Sequence, residues 1–89
     1  MMKVVVLYRP ESEFARVTEE FIHDFQRLSD AQRLEILNID TREGSTMAAI
    51  YDVMQYPAVL VIAPDGSLHK SWEGENLPLI DEVVAYSRV

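Results

Sequence analysis

The chain has 89 residues, of which 48% are hydrophobic and 26% are charged, and these proportions are ordinary for a folded globular protein. A chain of this length has material for one hydrophobic core, so we expect a single domain over residues 1–89. Fifteen acidic and eight basic residues give a net charge of −7, which disfavours binding to nucleic acids. The sequence contains no cysteine, which excludes disulfides, thiolate metal sites and cysteine nucleophiles within it.

The hydropathy pattern favours a cytoplasmic protein that does not insert into membranes. The longest apolar runs, residues 4–8 and 58–63, are far shorter than a membrane span. The first residues lead directly into a strand-like run, without the apolar stretch and cleavage site of a signal peptide.

The first predicted element is a strand over Lys3–Tyr8, which is nearly continuous in valine and leucine. This composition is typical of a central strand that is covered on both faces. After a break at residues 9–12, apolar residues recur at three- and four-residue spacing and predict an amphipathic helix, with Ser12 as its expected N-cap. The apolar stripe of this helix comprises Phe14, Ala15, Val17, Phe21, Ile22, Phe25 and Leu28.

Two strands and one helix are predicted in the middle of the chain. The second strand covers Leu34–Ile39 and the third covers Ala58–Ile62, which is again apolar on both faces. A turn or cap at Asp40–Thr41 separates the second strand from a helix over Glu43–Met54. Its apolar residues at helical spacing are Met47, Ile50, Tyr51 and Met54, and we expect the methionines to fill the core.

The last third of the chain predicts a hairpin followed by a helix. The sequence Pro64-Asp65-Gly66 is a turn signal, and the alternating polarity of Leu68–Trp72 predicts an edge strand. A final helix over Pro78–Ser87 is expected to bury Leu79, Ile80, Val83 and Val84. The predicted β-α-β-α-β-β-α order requires a parallel crossover and an antiparallel hairpin. It indicates an α/β fold in which helices flank a four-stranded mixed sheet.

Two local patterns resemble the thioredoxin superfamily. Residues 51–58, YDVMQYPA, are similar to its Tyr-Gly-Val-x-x-Ile-Pro-Thr segment. The sequence Asp65-Gly66-Ser67, followed by Trp72-Glu73-Gly74, is similar to its hairpin and the glycine that follows. Together with the element order, these residues resemble a small thioredoxin-like domain such as a glutaredoxin. The resemblance implies that the Tyr56–Pro57 peptide bond is cis and faces the first turn of the first helix.

In redox-active members of the superfamily, that first turn carries a pair of cysteines. Ser12 and Ala15 have the spacing of the pair in this chain. A hydroxyl group cannot replace a thiolate that attacks sulfur, so we expect a redox-inactive protein and no enzyme activity. The two histidines, His23 and His69, match neither a catalytic triad nor a metal-binding pattern, and we predict no cofactor and no metal.

The resemblance also implies a binding site, because the superfamily grips extended peptides beside the cis-proline. The candidate residues for this edge are Tyr8, Arg9, Pro10, Ser12, Phe14, Tyr56 and Pro57. Aromatic side chains are common anchors for protein partners, although the two tyrosines would equally suit the margin of a core. We therefore expect a non-catalytic protein-binding or regulatory module that is a monomer or a homodimer.

Two alternatives stay open. The KaiB family of clock regulators also lacks the redox pair, and it opens its first helix with a turn similar to Pro10-Glu11-Ser12. Such a protein would show two slowly exchanging folds by NMR. The other alternative is a small molecule such as glutathione at the proline edge, which would raise the melting temperature of the protein.

Overall fold

A computed structural model describes residues 2–28 and 33–88. Residues 1, 29–32 and 89 of the predicted domain lie outside the described residues. The elements are β1 (Lys3–Tyr8), α1 (Ala15–Leu28), β2 (Arg33–Asn38), α2 (Arg42–Ile50), β3 (Ala58–Ile62), β4 (Leu68–Glu73) and α3 (Ile80–Ser87). This order confirms the predicted β-α-β-α-β-β-α arrangement.

The four strands form one mixed sheet in the order β2-β1-β3-β4. Strands β1 and β2 are parallel, as expected for a crossover through α1, whereas β3 is antiparallel to both β1 and β4. The prediction of a central first strand and a fourth strand at the edge is therefore confirmed. No helix in the described part of the chain is long and apolar enough to cross a membrane.

Strand β1 supplies residues to two separate cores, one on each face of the sheet. Val4 and Val6 pack with α1 and α3, while Val5 and Leu7 pack with α2. All four residues are completely buried, and burial of each such side chain contributes about 1.5–3 kcal/mol. Packing on both faces fixes the carboxyl end of β1, where Tyr8 and Arg9 begin the candidate site.

Several residues that were predicted to be buried lie on the surface instead. Val17 and Leu28 of α1 are 51% and 60% exposed. The buried stripe of α1 includes Thr18, whose hydroxyl donates a hydrogen bond to the Phe14 carbonyl at 2.8 Å. That bond satisfies the hydroxyl inside the helix and lets a polar residue occupy the core face. Ile50, Met54 and Leu79 are also exposed.

Helix α2 covers Arg42–Ile50, so it begins one residue before the predicted segment Glu43–Met54 and ends four residues before its end. Thr41 is the N-cap, since its hydroxyl accepts a hydrogen bond from the Gly44 N–H at 3.0 Å. The helix ends at Ile50 because Asp52 adopts a left-handed conformation with φ of 55°, which turns the chain out of the helix. Met54 consequently lies outside the helix and is 80% exposed, so the prediction that it fills the core is wrong.

The other helix boundaries also differ from the predicted ones. Ser12 is not the N-cap of α1, because the helix begins at Ala15 and the Ser12 hydroxyl donates to the Arg9 carbonyl at 2.8 Å. Helix α3 begins at Ile80 rather than Pro78. Leu79 precedes it as the N-cap and is exposed, so the prediction that this leucine is buried is wrong.

Candidate functional site

A cleft of about 300 Å³ opens where β1 ends, α1 begins and β3 begins. These segments meet because β1 and β3 are antiparallel neighbours, with Leu7 opposite Ala58. Six of the seven predicted site residues line the cleft, namely Tyr8, Arg9, Ser12, Phe14, Tyr56 and Pro57. Pro10 is the seventh, and it is not among the lining residues. We call this region the Pro57 cleft.

The loop before β3 is fixed on both sides of Pro57. The Tyr56–Pro57 peptide bond is cis, which agrees with the geometry that the resemblance implies. The Pro57 carbonyl accepts a hydrogen bond from the Gly74 N–H at 2.9 Å. Gly74 has a φ of +100°, a conformation that favours glycine, so this residue is well suited to the turn that follows β4.

Glu73 holds the same loop through its side chain. Its Oε1 atom accepts hydrogen bonds from the N–H groups of Met54 and Gln55, at 2.8 and 3.1 Å. Hydrogen bonds to a carboxylate are stronger than those between neutral groups. Glu73 is exposed, and its two hydrogen bonds to the loop are an addition to the predicted site. No local signal reveals its role, since the bonded residues are 18 and 19 positions apart.

Arg9 is paired with a residue at the end of the neighbouring strand. Its Nε and Nη2 atoms donate to the two carboxylate oxygens of Asp40 at 3.0 and 3.1 Å. The Asp40 carboxylate raises the pKa of Arg9, so the guanidinium group stays charged. Asp40 was predicted only as part of a turn or cap, so this ion pair is an addition to the predicted site. It ties together the carboxyl ends of β1 and β2.

Tyr8 presents its ring to the cleft and its hydroxyl to α1. The hydroxyl donates a hydrogen bond to the Glu19 carboxylate at 2.9 Å. Burial raises the pKa of Tyr8, and the hydrogen bond and negative charge of Glu19 raise it further. The phenol therefore stays protonated at neutral pH and keeps its orientation.

Ser12 and Ala15, the positions with the spacing of the missing cysteines, lie in one turn before and at the start of α1. The Ala15 N–H donates to the Ser12 carbonyl at 3.1 Å, and Ala15 is buried. Ser12 lines the cleft, but neither His23 nor His69 does. In residues 2–28 and 33–88, no cluster of three histidine or acidic side chains could hold a metal ion.

Apolar and charged side chains line the Pro57 cleft. Ile39, Phe14 and Pro57 supply apolar surface, and Glu13 is a charged lining residue. The positive charge of Arg9 is compensated by Asp40. A second hollow of about 340 Å³ adjoins the cleft, because Arg9, Ile39, Met54 and Tyr56 line both. The two hollows lie side by side at this end of the sheet, and we refer to them together as the groove.

Comparison with known proteins identifies the fold. No protein-family model matches the sequence, and no curated protein is significantly similar to it. Solved structures do match. Thioredoxin from Fasciola hepatica superposes with a TM-score of 0.73 at 17% identity, over 98% of this chain and 78% of that one.

Two further thioredoxins give similar values. Thioredoxin 1 from Thermosipho africanus has a TM-score of 0.67 at 15% identity, and the match covers 97% of this chain and 90% of that one. Oxidised thioredoxin from Plasmodium falciparum has a TM-score of 0.69 at 13% identity, over 98% and 78% of the two chains. Such identities establish a shared fold rather than a shared activity. The chain therefore has the thioredoxin fold, and it has that fold without a single cysteine.

Proposed function

We propose that this chain is a non-catalytic thioredoxin-fold module that binds an extended, basic segment of a partner protein in the Pro57 cleft. The observation that carries the proposal is the open groove at the end of the sheet, where aromatic and apolar side chains surround a fixed proline loop. Neither of the positions that would carry the cysteine pair holds a sulfur atom, so we propose binding without thiol–disulfide exchange.

The shape of the groove favours an extended segment over a compact ligand. Its lining residues extend from Phe14 beside α1 to Ala48 on α2, and Tyr56 and Met54 line both hollows. Met54 is 80% exposed although it is apolar. Flexible methionine side chains at a binding surface adapt to apolar anchors of different shapes.

The charges around the groove favour a basic partner. Glu13 lines the Pro57 cleft and Asp52 lines the adjoining hollow, while Asp40 compensates Arg9. The net charge of −7 adds a long-range attraction for cations, which would speed association and weaken with added salt.

The proposal can be tested with peptides selected from a random display library against the whole protein. We expect the selected peptides to combine basic residues with an apolar or aromatic anchor. In calorimetry, Met54→Ala should weaken the binding of such a peptide by about 5- to 30-fold, which corresponds to roughly 1–2 kcal/mol.

Ile50→Ala is the matched control, because Ile50 is another exposed apolar residue close to Met54 in sequence but lines neither hollow. We expect this variant to bind like the wild type. Glu13→Gln should reduce affinity most at low salt. Peptides without basic residues, or binding that both Met54→Ala and Glu13→Gln leave unchanged, would contradict the proposed site.

A further inference from the structure

Strand β2 forms one edge of the sheet, and no other strand pairs with its outer side in the described part of the chain. The Ile39 N–H donates to the Tyr8 carbonyl, which continues the parallel ladder between β1 and β2. Because backbone groups alternate in direction along a strand, those of Leu34, Ile36 and Asn38 are directed away from β1. At this edge the N–H and C=O groups of Leu34 and Ile36 are therefore free to pair with a further strand, whereas the Asn38 carbonyl is bonded to Thr41.

The two edges of the sheet differ in their protection against a further strand. Strand β4 has an irregular register next to Ile62 and carries Lys70, and both features discourage pairing. Strand β2 keeps an unbroken register with β1 over all six of its residues and contains no proline. The outer edge of β2 is thus regular enough to accept another strand.

An apolar side chain at the middle of this edge is incompletely covered. Ile36 is 41% exposed, whereas Val6, its neighbour in β1, is completely buried. Added strands commonly bind through backbone hydrogen bonds together with alternate side chains that contact each other. A strand placed beside β2 would supply both.

We propose that two copies of this chain pair their β2 strands in an antiparallel arrangement, with a two-fold axis at Ile36, so that their sheets become continuous. In this register Ile36 faces Ile36 of the second copy, and Glu35 lies opposite Leu37. A register centred on Glu35 would instead place two carboxylates opposite each other, which is destabilising. The charge pattern of the strand therefore disfavours the Glu35-centred register, and the Ile36-centred register is the one that brings the two exposed isoleucines together.

The proposed pairing satisfies backbone groups that face outward. The N–H and C=O groups of Ile36 bond reciprocally with those of Ile36 in the second copy. The Asn38 N–H donates to the Leu34 carbonyl of the second copy. By symmetry, the Asn38 N–H of the second copy donates to the Leu34 carbonyl of the first. The Leu34 N–H of the second copy faces the Asn38 carbonyl, which already accepts hydrogen bonds from the N–H and the hydroxyl of Thr41, so each outer pair contributes one new hydrogen bond and the central Ile36 pair contributes two.

A second copy is a suitable occupant despite the acidity of the whole molecule. Glu35 forms an ion pair with Lys3 at 3.5 Å, so the acidic side chain of this strand is compensated within each copy. Two molecules of net charge −7 can therefore approach along this edge without an uncompensated acidic group between them. The edge also lies outside the Pro57 cleft, because no residue of β2 lines it, so this proposal does not depend on peptide binding.

Sedimentation equilibrium across a range of protein concentrations tests the dimer. We expect a concentration-dependent monomer–dimer equilibrium for the wild type and a loss of the dimer in Ile36→Lys, which places two ammonium groups opposite each other. Leu68→Lys is the matched control, since Leu68 is a comparably exposed apolar residue of the other edge strand. A wild-type monomer at the highest soluble concentration, or an Ile36→Lys dimer as strong as the wild type, would overturn the proposal.

Cysteine substitutions test the register in the same molecule, because the chain has no other thiol. With a short bis-maleimide, we expect Ile36→Cys to give a covalent dimer. The two Leu34 positions would be four residues apart along the paired strands, about 13 Å, so Leu34→Cys should link much more slowly. Circular dichroism would establish that both variants are folded. Linking at position 34 that equals or exceeds linking at position 36 would overturn the register.

Discussion

At Gly44, helix α2 passes so close to the end of strand β2 that no side chain fits between them. A Cβ atom at this position would lie 2.0 Å from the Asn38 carbonyl oxygen and 2.7 Å from its carbon. That carbonyl cannot easily move, because it accepts two hydrogen bonds from Thr41. The contact is between backbones, so no flexible side chain can relieve it.

We predict that Gly44→Ala lowers the free energy of unfolding by about 3 kcal/mol or more, because the helix must move or the cap must break. Ser45→Ala, at the next and exposed position of the same helix, should change it by less than about 0.5 kcal/mol. Urea denaturation measures both values. Equal stabilities for the two variants would mean that α2 moves freely away from β2.

The hydroxyl of Tyr8 makes stability depend on pH in the alkaline range. Its pKa in the folded protein is raised by burial and by Glu19, relative to about 10 in the unfolded chain. Well below pH 10 the Tyr8 hydroxyl is protonated in both the folded and the unfolded state, and its contribution to the free energy of unfolding is complete. Above pH 10 the unfolded state ionises first, so stability decreases as the pH rises toward the folded-state pKa.

We therefore expect the wild type to be more stable than Tyr8→Phe by about 1 kcal/mol near pH 8. This advantage should shrink as the pH increases beyond 10. Denaturation midpoints of the two proteins, measured from pH 8 to 11, give the comparison. An advantage that stays constant or grows above pH 10 would contradict the assigned role of the Tyr8 hydroxyl.

At the scale of elements, strands were easier to predict than helix ends. Strands β1 and β3 are continuous apolar runs because both of their faces are buried, so pattern and structure coincide. Apolar residues at helical spacing continue beyond the end of α2, and only the backbone of Asp52 shows where the helix stops. An aspartate in the sequence does not by itself predict a left-handed conformation, because this residue adopts it only occasionally.

The candidate site, like the secondary structure, was predicted in part: its lining residues were predicted, but the contacts that support them were not. Six of the seven expected residues line the Pro57 cleft, because the resemblance supplied the relative positions of segments that are distant in sequence. The supporting contacts of Asp40 with Arg9 and of Glu73 with Met54 and Gln55 were missed. Each joins residues at least 18 positions apart, and no local pattern encodes such a pairing.

The turn that precedes α1 contains Ser12 and Ala15, the two positions with the spacing of a redox-active cysteine pair. Whether these positions lie close enough for a disulfide can be tested directly. The hydrogen bond from the Ala15 N–H to the Ser12 carbonyl closes a tight turn, and such turns bring the outer Cα atoms within about 7 Å. A disulfide needs a Cα separation of about 4.4–6.8 Å. We predict that the double variant Ser12→Cys, Ala15→Cys forms an intramolecular disulfide under mild oxidation.

Alkylation followed by mass spectrometry gives the result, since an oxidised pair accepts no alkylating reagent. Ser12→Cys, Thr18→Cys is a suitable control, because Thr18 lies one helical turn further along the chain. If both thiols of the Ser12→Cys, Ala15→Cys variant remain reactive after oxidation, the turn does not hold the two positions at disulfide distance.

At the scale of the whole molecule, this chain keeps the central strands of the thioredoxin fold although it has no pair of reactive cysteines. The sheet places its central strands between the two cores, and the Pro57 cleft opens at one end of these strands. Thiol–disulfide catalysis in this fold depends on two cysteine side chains, which single substitutions can remove. The groove depends instead on the packing of the entire sheet. Function can therefore change while the architecture persists.

The position of β1 has a consequence for how the molecule unfolds. Since β1 lines both cores, the separation of either layer of helices would expose side chains of the same strand on which the other layer packs. We infer that the two halves melt together as one cooperative unit. A partner that binds at the end of this strand would therefore stabilise the whole molecule. Mutations far from the groove would change the affinity for such a partner.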